Sequence, residues 1–217
     1  SGGIAYTYNE PLVSWEFVHD CARVARHDGM WNVLVTNGYV EPEPAAELLP
    51  LIDALNIDIK SMDEDFYRTH CRGALQPVLA FARQAAGAGC HVEITNLIIP
   101  GLNDGTALVR QLAEWIATHL GRATPLHLSA YRPEYKANQP ATPRAVLERA
   151  WDVCRAQLDY VYVGNVLSER GSVTRCPGCG AELVKRSGYR TVAGGLEDGS
   201  CRQCGRKADF VGGSSAP

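Results

Sequence analysis

The chain has 217 residues, 46% of them hydrophobic and 21% charged, which suits one substantial core with a small appendage and excludes a disordered or fibrous protein. A formal net charge of -3 and a pI near 6.1, with no Lys/Arg run, exclude a dominant nucleic-acid or anionic-membrane surface. No signal-peptide pattern and no apolar stretch of bilayer length occurs, so the sequence predicts a cytoplasmic chain whose eight cysteines need an explanation other than routine disulfides.

Taken in order, residues 4–8 read as a short strand that Asn9, Glu10 and Pro11 turn into a helix, with Asn9 as its cap and Pro11 in its first turn. That helix carries Leu12, Trp15, Phe17, Val18, Cys21, Ala22 and Ala25 and stops at Gly29. A second strand covers residues 31–35 and closes at Thr36, Asn37 and Gly38. Pro42, Pro44 and Pro50 break the next helical stretch into short pieces. A third strand, residues 54–59, ends at Lys60, after which Ser61 and Asp63 are placed to cap another helix. Val78, Leu79, Phe81, Ala82 and Ala85 mark a further helix, which leads into residues 91–99. There polar and apolar residues alternate, give way to the run Leu97, Ile98 and Ile99, and stop at Pro100 and Gly101, as in a central strand buried on both faces. Asn103 and Asp104 offer oxygens to cap the helix announced by Leu108, Val109, Leu112, Trp115 and Ile116. A strand at 126–131, a Pro-rich loop, a helix from Thr142 to about Gln157 and a strand at 160–163 follow.

Six strands at spacings of roughly thirty residues, with helices between, predict βαβ units and a parallel sheet in an α/β fold. A complete eight-unit barrel needs about 200 residues or more. Fewer precede the paired cysteines, so a partial barrel is expected over residues 1–170, with an appendage over 171–217. Because the first residue stands almost inside a strand, one or more units are expected upstream of Ser1.

The strand ends are unusually polar: Asn9 and Glu10, Thr36 and Asn37, Asp58 and Lys60, Glu93, Thr95 and Asn96, His127 and Ser129. Taken singly, Asn9 and Asn37 suit caps or turns, Asp58 and Lys60 suit an ion pair, and His127 suits a satisfied core histidine. Five such ends in phase instead predict one rim of converging donors and acceptors, a pocket at the carboxyl edge of the sheet.

These same residues carry a resemblance. Tyr6-Thr7-Tyr8-Asn9-Glu10-Pro11, Val33-Leu34-Val35-Thr36-Asn37-Gly38-Tyr39, Asn56-Ile57-Asp58-Ile59-Lys60 and the stretch from Thr95 through Pro100 to Asp104 are similar to the radical S-adenosylmethionine (SAM) enzymes of the AmmeMemoRadiSam type, relatives of the pyruvate formate-lyase activating enzymes. The resemblance implies a partial (β/α)6 barrel of the TIM type and a [4Fe-4S] cluster that cleaves SAM reductively to a 5'-deoxyadenosyl radical. It also implies a flavodoxin or ferredoxin as electron donor and a protein or small-molecule substrate. By the same resemblance Asn9 and Glu10 would stand beside the methionine amino group, with Asn37 on the neighbouring strand end, while Lys60, next to Asp58, would approach the methionine carboxylate. Thr95 and Asn96 would contact the ribose, the backbone about Pro100 the adenine, and His127, Ser129 or Tyr131 the ribose side. One departure is large: the family's Cys-x3-Cys-x2-Cys loop is absent, since Cys21, Cys71, Cys90 and Cys154 are scattered singly and read as core residues. Either that loop lies upstream of Ser1 or the chemistry has been lost.

Cys176, Cys179, Cys201 and Cys204 form two Cys-x2-Cys turns, each followed by glycine and separated by 21 residues, which suits a small metal ribbon. Zinc is expected; a rubredoxin-like iron site and a pair of disulfides are the alternatives. Two other functional classes stay open: a metal-independent (β/α) barrel lyase or isomerase with Lys60 as Schiff-base or general-base residue and Glu10 or Glu93 as proton partner, and an interaction module built on the ribbon.

Overall fold

The structure, a computed structural model, describes residues 2–166, 168, 170–188 and 190–210. The end of the appendage expected over 171–217, residues 211–217, lies outside the described residues.

Six parallel strands form one sheet in sequential order: β1 Gly3–Tyr6, β2 Trp31–Thr36, β3 Ala54–Asp58, β4 His91–Ile98, β5 Leu126–Ala130 and β6 Val161–Gly164. Strands β1 and β6 are the two edges. Between strands run α1 Trp15–His27, α2 Pro42–Leu48, α3 Glu64–Phe66, α4 Leu75–Gly87, α5 Thr106–His119 and α6 Arg144–Arg155. Sequential order and parallel sense follow from the helical crossovers, which bring each strand back beside its predecessor.

All of the core lies on one side of this sheet. Along β4, Val92, Ile94, Asn96 and Ile98 are buried while His91, Glu93, Thr95 and Leu97 are only partly so. The helices supply the other half of that core through Val18 and Ala22 of α1, Val78, Phe81 and Ala82 of α4, Leu112 and Ile116 of α5, and Leu147 and Cys154 of α6. The expectation that β4 is buried on both faces therefore needs correction. It is central, paired with β3 and β5, but its second face looks into an uncovered concavity. Phe17, one of the apolar residues that the first helix carries, points outward at 68% exposure.

Local signals met different fates. Pro11 does open a helical turn, but Glu10 rather than Asn9 caps it, accepting from Leu12 N–H at 3.2 Å. Asp63 caps α3 as expected, accepting from Asp65 N–H at 2.9 Å. Pro42 begins α2 and Pro50 is the second residue of the 3-10 turn Leu49–Leu51, because the first helical turn needs no N–H there. Helix α5 starts at Gly105 without a side-chain cap; Asn103 and Asp104 are used inside the preceding loop instead. Of the four single cysteines, Cys154 is buried, Cys21 and Cys90 are half-buried, and Cys71 is exposed rather than core.

After β6 the chain makes a separate small unit: β7 Val173–Arg175, β8 Glu182–Ser187 and β9 Arg190–Val192 as an antiparallel sheet, then the hairpin β10 Leu196–Glu197 with β11 Ser200–Cys201. Its core is Cys176, Leu183, Val184, Cys201 and Ala208. It docks on β6, where Tyr160 Oη donates to Asp209 Oδ2 at 2.7 Å, Tyr162 Oη and Thr174 Oγ1 lie 2.9 Å apart, and Arg186 sits 5.2 Å over the Tyr162 ring.

Candidate functional site at the open face of the sheet

Strand register lays the polar residues out in rows. Asp58 pairs with Thr95, Thr95 with His127 and His127 with Tyr162, so these four stand side by side across β3 to β6 on the uncovered face. One step toward the amino ends Asn56 pairs with Glu93, and one step further Ala54 pairs with His91. Hydrogen bonds knit the rows. Thr95 Oγ1 donates to Asn56 Oδ1 at 2.8 Å, and Lys60 Nζ lies 2.6 Å from Asp58 Oδ2, with the two side chains 35% and 31% exposed.

The end of β3 is held by side chains from the far side. Asn96, which the strand's alternation points into the core, is 3% exposed and donates through Nδ2 to the carbonyls of Ile59 at 2.7 Å and Lys60 at 3.1 Å. Asn103, equally buried, donates to the Lys60 carbonyl at 2.6 Å and that of Leu97 at 2.8 Å while accepting from Ile99 N–H at 2.6 Å. Tyr67 Oη accepts from Lys60 N–H at 3.0 Å. Lys60 thus projects from a backbone whose polar groups are satisfied, so its ammonium is positioned without reorganisation. Asn96 acts on that backbone and does not reach the open face with Thr95.

Glu10 works as a clamp between β1 and β2. Its carboxylate accepts from Thr36 Oγ1 at 2.6 Å, Asn37 N–H at 2.6 Å and Leu12 N–H at 3.2 Å. Asn37 Oδ1 accepts from Tyr39 N–H at 2.8 Å, the turn role foreseen for it. Residues 7–10 and 35–37 with Asp58 and Lys60 line an open cleft of ≈ 540 Å³. Asn9 is exposed at its rim, and Pro100 is half-buried in the β4–α5 loop.

On β5 the ring of His127 stacks on Tyr162, centroids 5.3 Å apart, and its Nε2 lies 2.6 Å from Glu93 Oε2; His91 Nε2 lies 3.2 Å from Glu93 Oε1. Burial pushes the Glu93 carboxyl up, but the hydrogen bonds and charge of His127 and His91 outweigh it and hold the group at about 2. An ionised carboxylate only accepts, so both imidazoles present N–H at Nε2. Beyond β5, Thr142 Oγ1 accepts from Tyr131 N–H at 2.9 Å and donates to the Ile98 carbonyl at 2.6 Å, anchoring the Pro-rich loop. Tyr131 itself is 8% exposed, and its hydroxyl is the one buried side-chain polar atom among the described residues that has no partner. Such a group is ordinarily satisfied in native proteins, by a ligand where nothing else serves.

In the ribbon the ligand atoms of Cys176, Cys179, Cys201 and Cys204 all lie within 4.8 Å of one another. Cys176 Sγ is 3.6 Å from Cys204 Sγ and Cys179 Sγ 3.7 Å from Cys201 Sγ. The two turns are built alike: Gly180 N–H donates to the Cys176 carbonyl and Gly205 N–H to the Cys201 carbonyl, each at 2.8 Å, with φ of 76° and 74° that glycine supplies freely. Four sulfurs at about 2.3 Å from one ion stand about 3.8 Å apart, so this cage fits a mononuclear tetrahedral ion. It is too tight to wrap the four irons of a cluster. Cys21, Cys71, Cys90 and Cys154 belong to no group of three or more candidate ligands among the described residues. The described residues therefore do not supply a cluster's thiolates.

The residues missed by sequence reasoning are Asn56, His91 and Tyr162 on the open face and Asn103 behind it. The signal for the first two was parity: Asn56 shares the phase of Asp58 and Lys60, and His91 that of Glu93 and Thr95, as period-2 side chains require.

Radical SAM superfamily is the description of the family model that matches residues 1–113, just over half of the chain, and the chain belongs to that superfamily. It is 43% identical over 213 residues to an uncharacterized protein of Methanocaldococcus jannaschii, covering 96% of this chain and 63% of that protein. It is 27% identical over 132 residues to the pyruvate formate-lyase 1-activating enzyme of Escherichia coli strain K12, covering 60% of this chain and 53% of that enzyme. The chain thus spans less than two thirds of the length of either relative. A solved domain of the pyruvate-formate lyase-activating enzyme from Bacteroides vulgatus superposes with a TM-score of 0.65 at 22% identity, over 76% of this chain and 100% of that one. A radical SAM methyltransferase from Sphaerobacter thermophilus gives 0.63 at 18%, over 75% and 50%. These two share the fold. No helix among the described residues is long and apolar enough to cross a membrane.

Proposed function

We propose that the protein is an activating-type radical SAM enzyme of the AmmeMemoRadiSam kind, and that the open face of this partial barrel binds SAM. The observation that carries the reading is the Asp58–Lys60 pair at the carboxyl end of β3, held by Asn96, Asn103 and Tyr67 in a chain of this superfamily. Lys60 would hold the methionine carboxylate by a charge-assisted hydrogen bond, with Asp58 keeping the ammonium aimed. Glu10, accepting three protein hydrogen bonds, would shape the cleft as much as bind an ammonium, with Asn9 at the rim and Asn37 turned inward to Tyr39. Thr95 and the orphaned Tyr131 hydroxyl would meet the ribose and adenine side, near Pro100. The superfamily's reductive cleavage of SAM needs a [4Fe-4S] cluster and a one-electron donor of flavodoxin or ferredoxin kind. No cluster ligands are found among the described residues, so no step is assigned to this chain's cysteines.

We also propose that the four-cysteine cage holds one zinc ion in a structural role, because four protein ligands leave no open position. The competing lyase reading loses its geometry. Lys60 is ion-paired and a third exposed, lacking the apolar pocket that makes an amine a nucleophile, and Glu93 is committed to two imidazoles.

Formation of 5'-deoxyadenosine from SAM under anaerobic reduction tests the enzyme reading. The 217-residue chain alone is expected to yield none. Joined to a Cys-x3-Cys-x2-Cys segment and reconstituted with iron and sulfide, it is expected to yield product. Product from the chain alone would contradict the argument that the described cysteines hold no cluster; none from the reconstituted protein contradicts the enzyme reading itself.

A further inference from the structure

Between the open face and the ribbon lies a chamber of ≈ 1150 Å³. That exceeds the about 300–1,000 Å³ of most small-molecule sites. Its floor is the His91, Glu93 and His127 cluster, and its lip is Lys185 and Arg186 on β8.

The charges there are unevenly satisfied. Every carboxylate lining the chamber is engaged: Glu93 by the two imidazoles, Glu148 by Arg144 at 3.5 Å and Ser168 Oγ at 3.1 Å, and Asp209 by Tyr160 at 2.7 Å and Arg206 at 2.9 Å. The lip cations are not. Lys185, whose backbone is paired within β7–β8–β9, is exposed, and its side chain makes no ion pair or hydrogen bond among the described residues. Arg186 donates to Thr174 Oγ1 at 2.8 Å and lies over Tyr162 but meets no carboxylate. A chain of net charge -3 thus presents two uncompensated cations above two imidazoles at the mouth of this chamber. Such complementarity steers and selects an anionic partner.

We propose that this chamber binds an acidic peptide segment, its carboxylates meeting Lys185 and Arg186 while a neighbouring residue reaches toward the His127–Glu93 floor. A peptide suits the open chamber better than a compact metabolite. It also suits two free cations better than a nucleic acid, whose phosphates need many. Calling the peptide a substrate rests on the SAM reading above; the binding itself does not.

The test is fluorescence anisotropy of a fluorescein-labelled decapeptide of alternating Glu and Gly, titrated with the zinc-loaded chain at low ionic strength without SAM or reductant. Saturable binding is expected, weakened about tenfold by Lys185→Glu, where attraction becomes repulsion. It should be unchanged by Arg83→Glu, which alters net charge equally from an exposed site on α4. Both are surface changes that leave the cores untouched. Absence of saturable binding, equal weakening by both variants, or tighter binding of a labelled ten-nucleotide single-stranded RNA would overturn the proposal. Because neither SAM nor electrons enter the measurement, its failure leaves the SAM reading standing, and failure of the SAM reading leaves this result intact.

Discussion

Glu93 sits between two imidazoles, and its carboxyl is where the open face responds to acid. Its folded-state value, about 2, lies below the ordinary 4.5. As pH falls the unfolded chain takes up this proton first, so the stability Glu93 contributes is complete above about pH 4.5 and is lost progressively toward pH 2. Denaturation midpoints of wild type and Glu93→Gln should therefore differ most at and above about pH 5 and draw together progressively toward pH 2; a gap that stays constant or widens would show that the cluster does not hold the charged form. The neighbouring asparagine shows why single residues were only partly legible. Thr95 and Asn96 are adjacent and both polar, and type alone put both in the site. Strand alternation sends one to the open face and the other into the core, where Asn96 satisfies the Ile59 and Lys60 carbonyls. Asn103 looked like a helix cap because its side chain suits one, yet the Lys60 and Leu97 carbonyls and the Ile99 N–H had the stronger claim on it.

Elements with strong periodicity were read correctly in type and order, and their ends were not. The six strands and the long helices follow from apolar spacing, whereas the caps at Asn9 and Asp104 depended on which nearby group offered the better hydrogen bond, and Glu10 and the loop backbone won. The ribbon was legible through its cysteines alone. Leu183 and Val184 contribute about 1.5–3 kcal/mol each by burial. Ordering the backbone costs about 1–2 kcal/mol per residue. So small a core needs a further stabiliser, and the structural zinc proposed above, worth about 10–16 kcal/mol in comparable peptides, would decide whether the unit folds. Cys201→Ser should release the ion and abolish hydrogen-exchange protection in β7 to β11 while leaving β4 protected. Retained protection in β8 without metal would contradict the assignment. Nothing in the sequence announced where the ribbon docks; Tyr160, Tyr162 and Arg186 look like ordinary surface residues until β6 brings them together.

Across the whole molecule, the parallel order and the polar rim were both readable, because βαβ spacing dictates the first and strand-end chemistry marks the second. The openness of the sheet was not, since a strand facing a concavity carries the same Leu and Ile run as one packed on both sides. The central claim is that a radical SAM superfamily chain binds SAM through the end of β3. Calorimetric titration of SAM into wild type and Lys60→Ala tests it most directly. The substitution should weaken binding by about 1.5–3 kcal/mol, the range for a charged hydrogen bond, with the fold unchanged because Asn96, Asn103 and Tyr67 hold the backbone rather than the ammonium. Equal affinity of the two proteins, or no SAM binding by wild type, would contradict it.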